Sequence, residues 1–362
     1  MISTAAAAET ARKSLAHWAE QAARPLTLME VCGTHTMAIH RHGILSLLPE
    51  NVRLISGPGC PVCVTPQGQV DQIVALARQG EATVATFGDM VRVPGSTSSL
   101  ERERALGADV RVVYSPLDAV ALAEALPSRH VVFIGIGFET TVPTVAAAVI
   151  EARRRRLGNF TILAAGKRIP PALDALLASG ELRVDGLICP GHVSVVIGWR
   201  AYEPFAQRHR LPCAVAGFEP TEVLEAIVAL VRQAAEGRAD VENLYSVWVR
   251  PEGNRRALKT LESVFVAGPS RWRGLGIIER SGLLLREEWS DYDAARRFGV
   301  EEHEVAEPSG CRCGDVLRGI LAPADCALFA RACTPESPVG PCMVSTEGSC
   351  AAAYRYGRRR GQ

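Results

Sequence analysis

The sequence predicts an α/β protein in which two similar parallel-sheet domains face a cleft and a cysteine-rich unit follows at the C-terminus. Two observations carry that prediction. Short apolar runs rich in β-branched residues alternate with helix-length amphipathic stretches over the first 240 residues, the pattern of strands covered by helices on both faces. Beyond them, six of the 11 cysteines gather between Cys311 and Cys350, in a segment rich in Gly and Pro and poor in long apolar runs.

The elements follow in order. The opening MISTAAAAETARKSLAHWAEQAARP reads as an Ala-rich amphipathic helix; it carries charge and lacks an apolar core, so no secretory signal is expected. Strand runs come at LTLMEV (26–31), VRLIS (52–56), ATVATF (82–87) and DVRVVY (109–114), with helices such as Val70 to Arg78 and Leu117 to Leu126 among them. A second set is HVVFIGIG (130–137), FTILAA (160–165), VDGLIC (184–189) and PCAVAGF (212–218). Helices over Val142 to Arg155, Pro171 to Ala178 and Thr221 to Ala235 separate these runs. Four strands per set predict two four-stranded domains, at 1–129 and 130–240, and leave 241–362 for the C-terminal unit.

Composition narrows the class. A chain of 362 residues, 48% hydrophobic, can bury a large core without covalent staples. No stretch of about 18 apolar residues predicts a membrane span. A formal net charge of +1 leaves no basic footprint for nucleic acid, and the runs Arg153 to Arg156 and Arg358 to Arg360 read as solvated surface. The expected location is cytoplasmic, where clustered cysteines bind metal or do redox chemistry in preference to forming structural disulfides. Thiolates gathered in a segment without its own apolar core can replace that core with metal–sulfur bonds, so the tail reads as an iron-sulfur domain.

Nearly every unusual residue falls just after a predicted strand, where parallel sheets place their ligands. Cys32, Gly33, Thr34, His35 and Thr36 follow the first run, and Gly57 to Cys63 the second. Glu139 follows the fifth, His192 the seventh and Glu219 the eighth. In GPGCPVC, Cys60 and Cys63 at Cys-x-x-Cys spacing can close a tight disulfide or share a metal, and reversible dithiol chemistry is the preferred role. Cys32 at a helix N-terminus is expected to have a lowered thiol pKa, with His35 beside it as an incomplete metal site. His40 and His42 read as surface of the same helix. His192, in PGHVS, reads as a proton donor or ligand. Glu139 and Glu219 share the pattern Gly-Phe-Glu and read as cleft acids. Cys189 and Cys213 read as small core residues. The GIG before Glu139 lacks the third glycine of a dinucleotide fingerprint, and no P-loop is present.

Taken in order, the strings EVCGTHT, GPGCPVCVTP, FGDMVRVPG, YSPLDA, GIGFETTVPT, CPGHVS, VAGFEP and MVSTEGSCAAAY resemble the HypD family of nickel-iron hydrogenase maturation proteins, from about Leu26 to Tyr356. The resemblance implies that Cys32, with His35 beside it, matches the site where an iron bearing cyanide and carbon monoxide is assembled. It implies that Cys60 and Cys63 are a redox-active pair. It also implies that Cys313, Cys326, Cys333 and Cys350 hold a 4Fe-4S cluster, with Cys311 and Cys342 outside that set. The partners implied are the small chaperone HypC, the cyanide donor HypE and the hydrogenase large-subunit precursor. A free-standing 4Fe-4S thiol-disulfide oxidoreductase and a zinc-stabilised interaction protein are the alternatives.

Overall fold

All eight apolar runs form strands in the computed structural model, which describes residues 4–357 and so leaves the Arg358 to Arg360 run outside. They are β1 (Leu26–Glu30), β2 (Val52–Ser56), β3 (Ala82–Thr86), β4 (Val110–Val112), β5 (His130–Gly137), β6 (Phe160–Lys167), β7 (Gly186–Pro190) and β8 (Cys213–Ala216). Three more complete the sheets: β9 (Val241–Asn243), β10 (Phe265–Trp272) and β11 (Gly276–Leu285). The α/β class is therefore as expected.

The partition of strands is not. The first four were expected in one sheet and the next four in another, but the order is β2-β1-β7-β8-β9 in one sheet and β10-β11-β6-β5-β3-β4 in the other. The first sheet is parallel throughout. The second is parallel from β6 to β4, and the β10–β11 hairpin pairs antiparallel to β6. Burial explains the exchange. β3 is buried along its whole length and takes β4 on one edge and β5 on the other. β1 likewise lies between β2 and β7. A buried parallel strand satisfies both rows of backbone groups only with two neighbours.

Alternation along the strands then divides the apolar side chains. In β5, Val131 and Phe133 face an outer core with helices Val142–Arg154 and Arg255–Val264, while Val132, Ile134 and Ile136 face an inner one. In β1, Leu26 and Leu28 face helices Thr4–Gln21 and Pro220–Glu236, while Met29 enters the inner core. The inner core joins both sheets to the tail through Trp272, Val316, Leu317, Cys342 and Met343. No helix among the described residues is long and apolar enough to cross a membrane.

Candidate thiol site at the strand ends

β1 ends at Glu30, and two residues later the chain turns into the helix Gly33–Arg41, with Cys32 as its extended N-cap (φ −151°, ψ 122°). The buried Glu30 carboxylate accepts the Cys32 N–H at 2.9 Å and the Thr36 hydroxyl, and burial pushes its pKa up to about 7. The Cys32 thiol is pushed up to about 12, first by burial, with Glu347 and Glu30 adding to it. The N–H groups of His35 and Thr34 pull the other way, as expected of a helix N-terminus, but are outweighed. The sequence expectation of a lowered thiol is thus reversed by burial and by two carboxyl groups.

His35 is wholly buried. Its Nε2 faces the Gly217 carbonyl at 2.8 Å and therefore carries the proton; Nδ1 is buried without a hydrogen-bond partner among the described residues, and burial brings the ring down to about 4. Phe218 lies between two histidines, with the His35 ring at 4.8 Å and the His192 ring stacked at 4.0 Å. His192 is exposed; the burial it does have lowers it, and Glu347 opposes that shift. Glu347 also accepts the Thr34 hydroxyl at 2.6 Å.

The Gly57–Cys63 loop follows β2 and lies against Cys32. A Cβ on Gly59 would sit 2.3 Å from the Cys32 nitrogen, and the Gly33 N–H donates to the Gly59 carbonyl at 3.0 Å. Glycine is therefore required there by a close backbone approach. Cys60 and Cys63 are buried free thiols, with the Cys63 N–H directed at Cys60 Sγ at 3.2 Å. Burial raises the Cys63 thiol well above its ordinary value; its Sγ lies 4.0 Å from the Pro341 carbonyl, and the neighbouring Cys342 thiol opposes that rise. Cys342 in turn meets Cys313 and Cys350.

In the tail, Cys313, Cys326, Cys333 and Cys350 line one small cavity of about 20 Å³ with Val316, Leu328, Phe329 and Met343. Cys311, which the resemblance left aside, lines it too; Cys342 does not, and instead connects it to Cys63. A Cβ on Gly340 would lie 2.6 Å from Cys311 Sγ and 2.7 Å from Cys313 Sγ, so the backbone leaves those sulfurs room that any side chain would take. Among the described residues no three His, Cys, Asp or Glu side chains are gathered around a single-ion position. Five sulfur donors line this cavity, the donor type that iron-sulfur groups take.

Glu139 and Glu219 each serve a helix start. Buried Glu139 accepts the Ile169 N–H at 3.1 and 3.2 Å, at the start of the helix Ile169–Ala178, and burial pushes it up to about 7. Glu219 is the exposed N-cap of the helix Pro220–Glu236, its N–H donating to Glu222. Cys189 and Cys213 are buried neighbours across β7 and β8, as expected of core residues. Glu30 and Glu347 were not anticipated as site residues. Glu347 had a signal in its place three residues before Cys350, whereas Glu30 reads as an ordinary strand residue until its burial is known.

Fold and site together define a class: an α/β protein whose strand-end loops bring a lone cysteine, a Cys-x-x-Cys pair and a cysteine-lined cavity into contact. A family model described as HypD, hydrogenase formation hypA family, matches residues 6–357. The chain is 49% identical over 360 residues to the hydrogenase expression/formation protein HupD of Azotobacter chroococcum, covering 97% of this chain and 95% of the relative. It is 47% identical over 361 residues to the hydrogenase maturation factor HypD of Cupriavidus necator, with the same shares covered. To the hydrogenase maturation factor HypD of Escherichia coli it is 44% identical over 355 residues, covering 98% and 95%. The chain belongs to the HypD family of hydrogenase maturation factors.

Proposed function

We propose that this chain is the scaffold on which the iron, cyanide and carbon monoxide unit of nickel-iron hydrogenase is assembled. The observation that carries the reading is the continuity of its soft donors. Cys32 sits against the loop of Cys60 and Cys63, and Cys63 meets the tail thiols through Cys342. The iron unit is cargo, and Cys32 is its proposed anchor, because a thiolate is a strong soft ligand for iron. Loading iron displaces the Cys32 proton, and a cation at that position offsets the two carboxyl groups that otherwise oppose the thiolate. Neutral His35 keeps a bare Nδ1 in the same buried region and is the nearby base or ligand. A 4Fe-4S cluster, held by four of the five cavity cysteines with Cys313, Cys326, Cys333 and Cys350 as the proposed set, supplies single electrons when bound. Cys60 and Cys63 are the proposed redox pair, and free thiols of this kind suit a cytoplasmic setting. The proposed partners are HypC, which adds a second thiolate to the iron, HypE, which brings cyanide, and the hydrogenase large-subunit precursor.

The alternative is a free-standing thiol-disulfide oxidoreductase, favoured by the fact that the thiol path from Cys63 to the tail is complete without Cys32. Anaerobic co-purification with HypC separates the two. The scaffold gives infrared bands of iron-bound cyanide and carbon monoxide, lost in Cys32→Ala. Wild-type protein without such bands but with thiol-disulfide turnover establishes the oxidoreductase instead.

A further inference from the structure

We propose that Arg273 is the buried counter-charge of the cysteine chain, stabilising the thiolate released at Cys63 when the Cys60–Cys63 pair is reduced. The inference deepens the reading above and rests on its dithiol. Arg273 lies in the turn between β10 and β11 and is only 1% exposed. A guanidinium keeps its charge in proteins, and burying that charge is costly unless something balances it.

The polar partners of Arg273 place it beside Cys63. Its main-chain N–H donates to Val64 O and its Nε to Thr65 O, both at 2.9 Å, and Nη2 donates to Gln67 Oε1 at 3.3 Å. These acceptors follow directly on Cys63. On the other side, Gly274 abuts Gly314, the residue after Cys313, so closely that a Cβ on Gly274 would lie 2.5 Å from the Gly314 Cα. Arg273 is thereby wedged between the two thiol-bearing segments. Burial lowers the Arg273 guanidinium from its ordinary value, and negative charge on Cys313 first, then on Cys342, Cys311 and Cys63, opposes that shift; the attraction is mutual. Its one carboxylate partner among the described residues is Glu307, whose side chain is 37% exposed. A structural tie between the turn and Val64 to Gln67 needs hydrogen-bond donors; it has no need of a permanent charge among four sulfurs.

The step it serves balances as follows. A dithiol reductant attacks Cys60 Sγ as thiolate, the Cys60–Cys63 bond breaks, and Cys63 leaves with the electron pair as a thiolate beside Arg273. The second thiol of the reductant then displaces Cys60 and closes a cyclic disulfide. Both cysteines finish protonated, so the pair has gained two electrons and two protons. Exchange is faster when the leaving thiolate is stabilised.

The test uses the full chain, purified anaerobically, oxidised with diamide and reduced with dithiothreitol, with the Cys60–Cys63 disulfide followed by alkylation and peptide mass mapping and thermal unfolding recorded in parallel. Arg273→Gln is expected to slow reduction about tenfold or more, and Arg273→Lys, which keeps the charge, to stay within about threefold of wild type. Glu307→Gln frees the guanidinium from its carboxylate and is expected to speed reduction about twofold. Should Arg273→Gln not fold, the lysine and Glu307 variants carry the test. Equal rates throughout, slowing by Glu307→Gln, or a lysine variant as slow as glutamine overturns the inference. A wild-type chain in which diamide forms no Cys60–Cys63 disulfide overturns the dithiol reading and this inference with it; a disulfide reduced at one rate in all variants overturns the inference alone.

Discussion

At the scale of the residue, burial rather than sequence neighbourhood sets the chemistry. Cys32 has a helix N-terminus in its favour, yet its thiol is held neutral because it is buried beside Glu30 and Glu347. Glu139 shows the same force on an acid, with an ordinary value of 4.5 raised to about 7. Below pH 4.5 it is protonated in both folded and unfolded chains and burial costs nothing extra. As pH rises, the unfolded chain ionises first, so stability is lost progressively until the folded carboxyl ionises near 7. Glu139→Gln removes this dependence while keeping an acceptor for the Ile169 N–H. Relative to wild type, the variant should gain on the order of 3 kcal/mol between pH 4.5 and 7, read from urea unfolding at several pH values. Glu30 carries the same sign and is present in both proteins, so the difference isolates Glu139. His35 carries the opposite sign: its stabilisation is full above 6.5 and lost as pH falls through about 4. Curves that stay parallel for the two proteins would show that Glu139 does not titrate in this window.

At the scale of the element, eight strands were legible because each is a short β-branched run ended by Gly, Pro or a polar turn. β9 was not, since Val241–Asn243 is three residues of mixed polarity. β10 hid behind Gly268 and Pro269, which break the apolar pattern in the place where its pairing with β11 shifts register. The placement of Cys32, Cys60 and Cys63 on strand-end loops was equally legible, whereas the contact between those loops was not: it depends on Gly59 meeting the Cys32 backbone beyond the ends of the paired strands β1 and β2. Cys342 is the other such case, a buried thiol on the short helix Pro341–Val344 that joins the Gly57–Cys63 loop to the tail. If the proposed tail cluster is held by the other cysteines, Cys342→Ser should retain its iron, its sulfide and its visible absorption. Reduction of the Cys60–Cys63 disulfide by dithionite through the tail should slow about tenfold or more, because a hydroxyl cannot exchange with a disulfide. Loss of iron in this variant would instead make Cys342 a cluster ligand; unchanged reduction would remove it from the path.

At the scale of the whole molecule, the two sheets are built from interleaved parts of the chain, and pattern alone could not reveal that. Every parallel run is compatible with every other by hydrophobicity, and only packing decides that β3 and β4 join β5 while β7 returns to β1. The consequence is that neither sheet, and neither face of the inner core, can be completed by consecutive sequence. A chain cut after Arg129 separates β3 from β5, whose pairing runs from Ala82 with His130 to Ala85 with Phe133. It also strips β1 of β7, leaving Met29 and Glu30 without Leu187 and Ile188. Residues 1–129 alone would hold two strand pairs with open apolar edges, and two-stranded units of this kind are not stable in water. Expressed alone, this fragment should show no cooperative unfolding transition and should be digested at low protease concentrations, whereas the full chain melts cooperatively. Co-expression with residues 130–362 should restore the sheets, and with them protection of Cys32, Cys60 and Cys63 from alkylation, because all three are buried in the assembled molecule. A cooperative melt of the isolated fragment, with those thiols protected, would mean that β1 to β4 can form a sheet of their own and that the interleaved pairing does not hold the N-terminal cysteines in place.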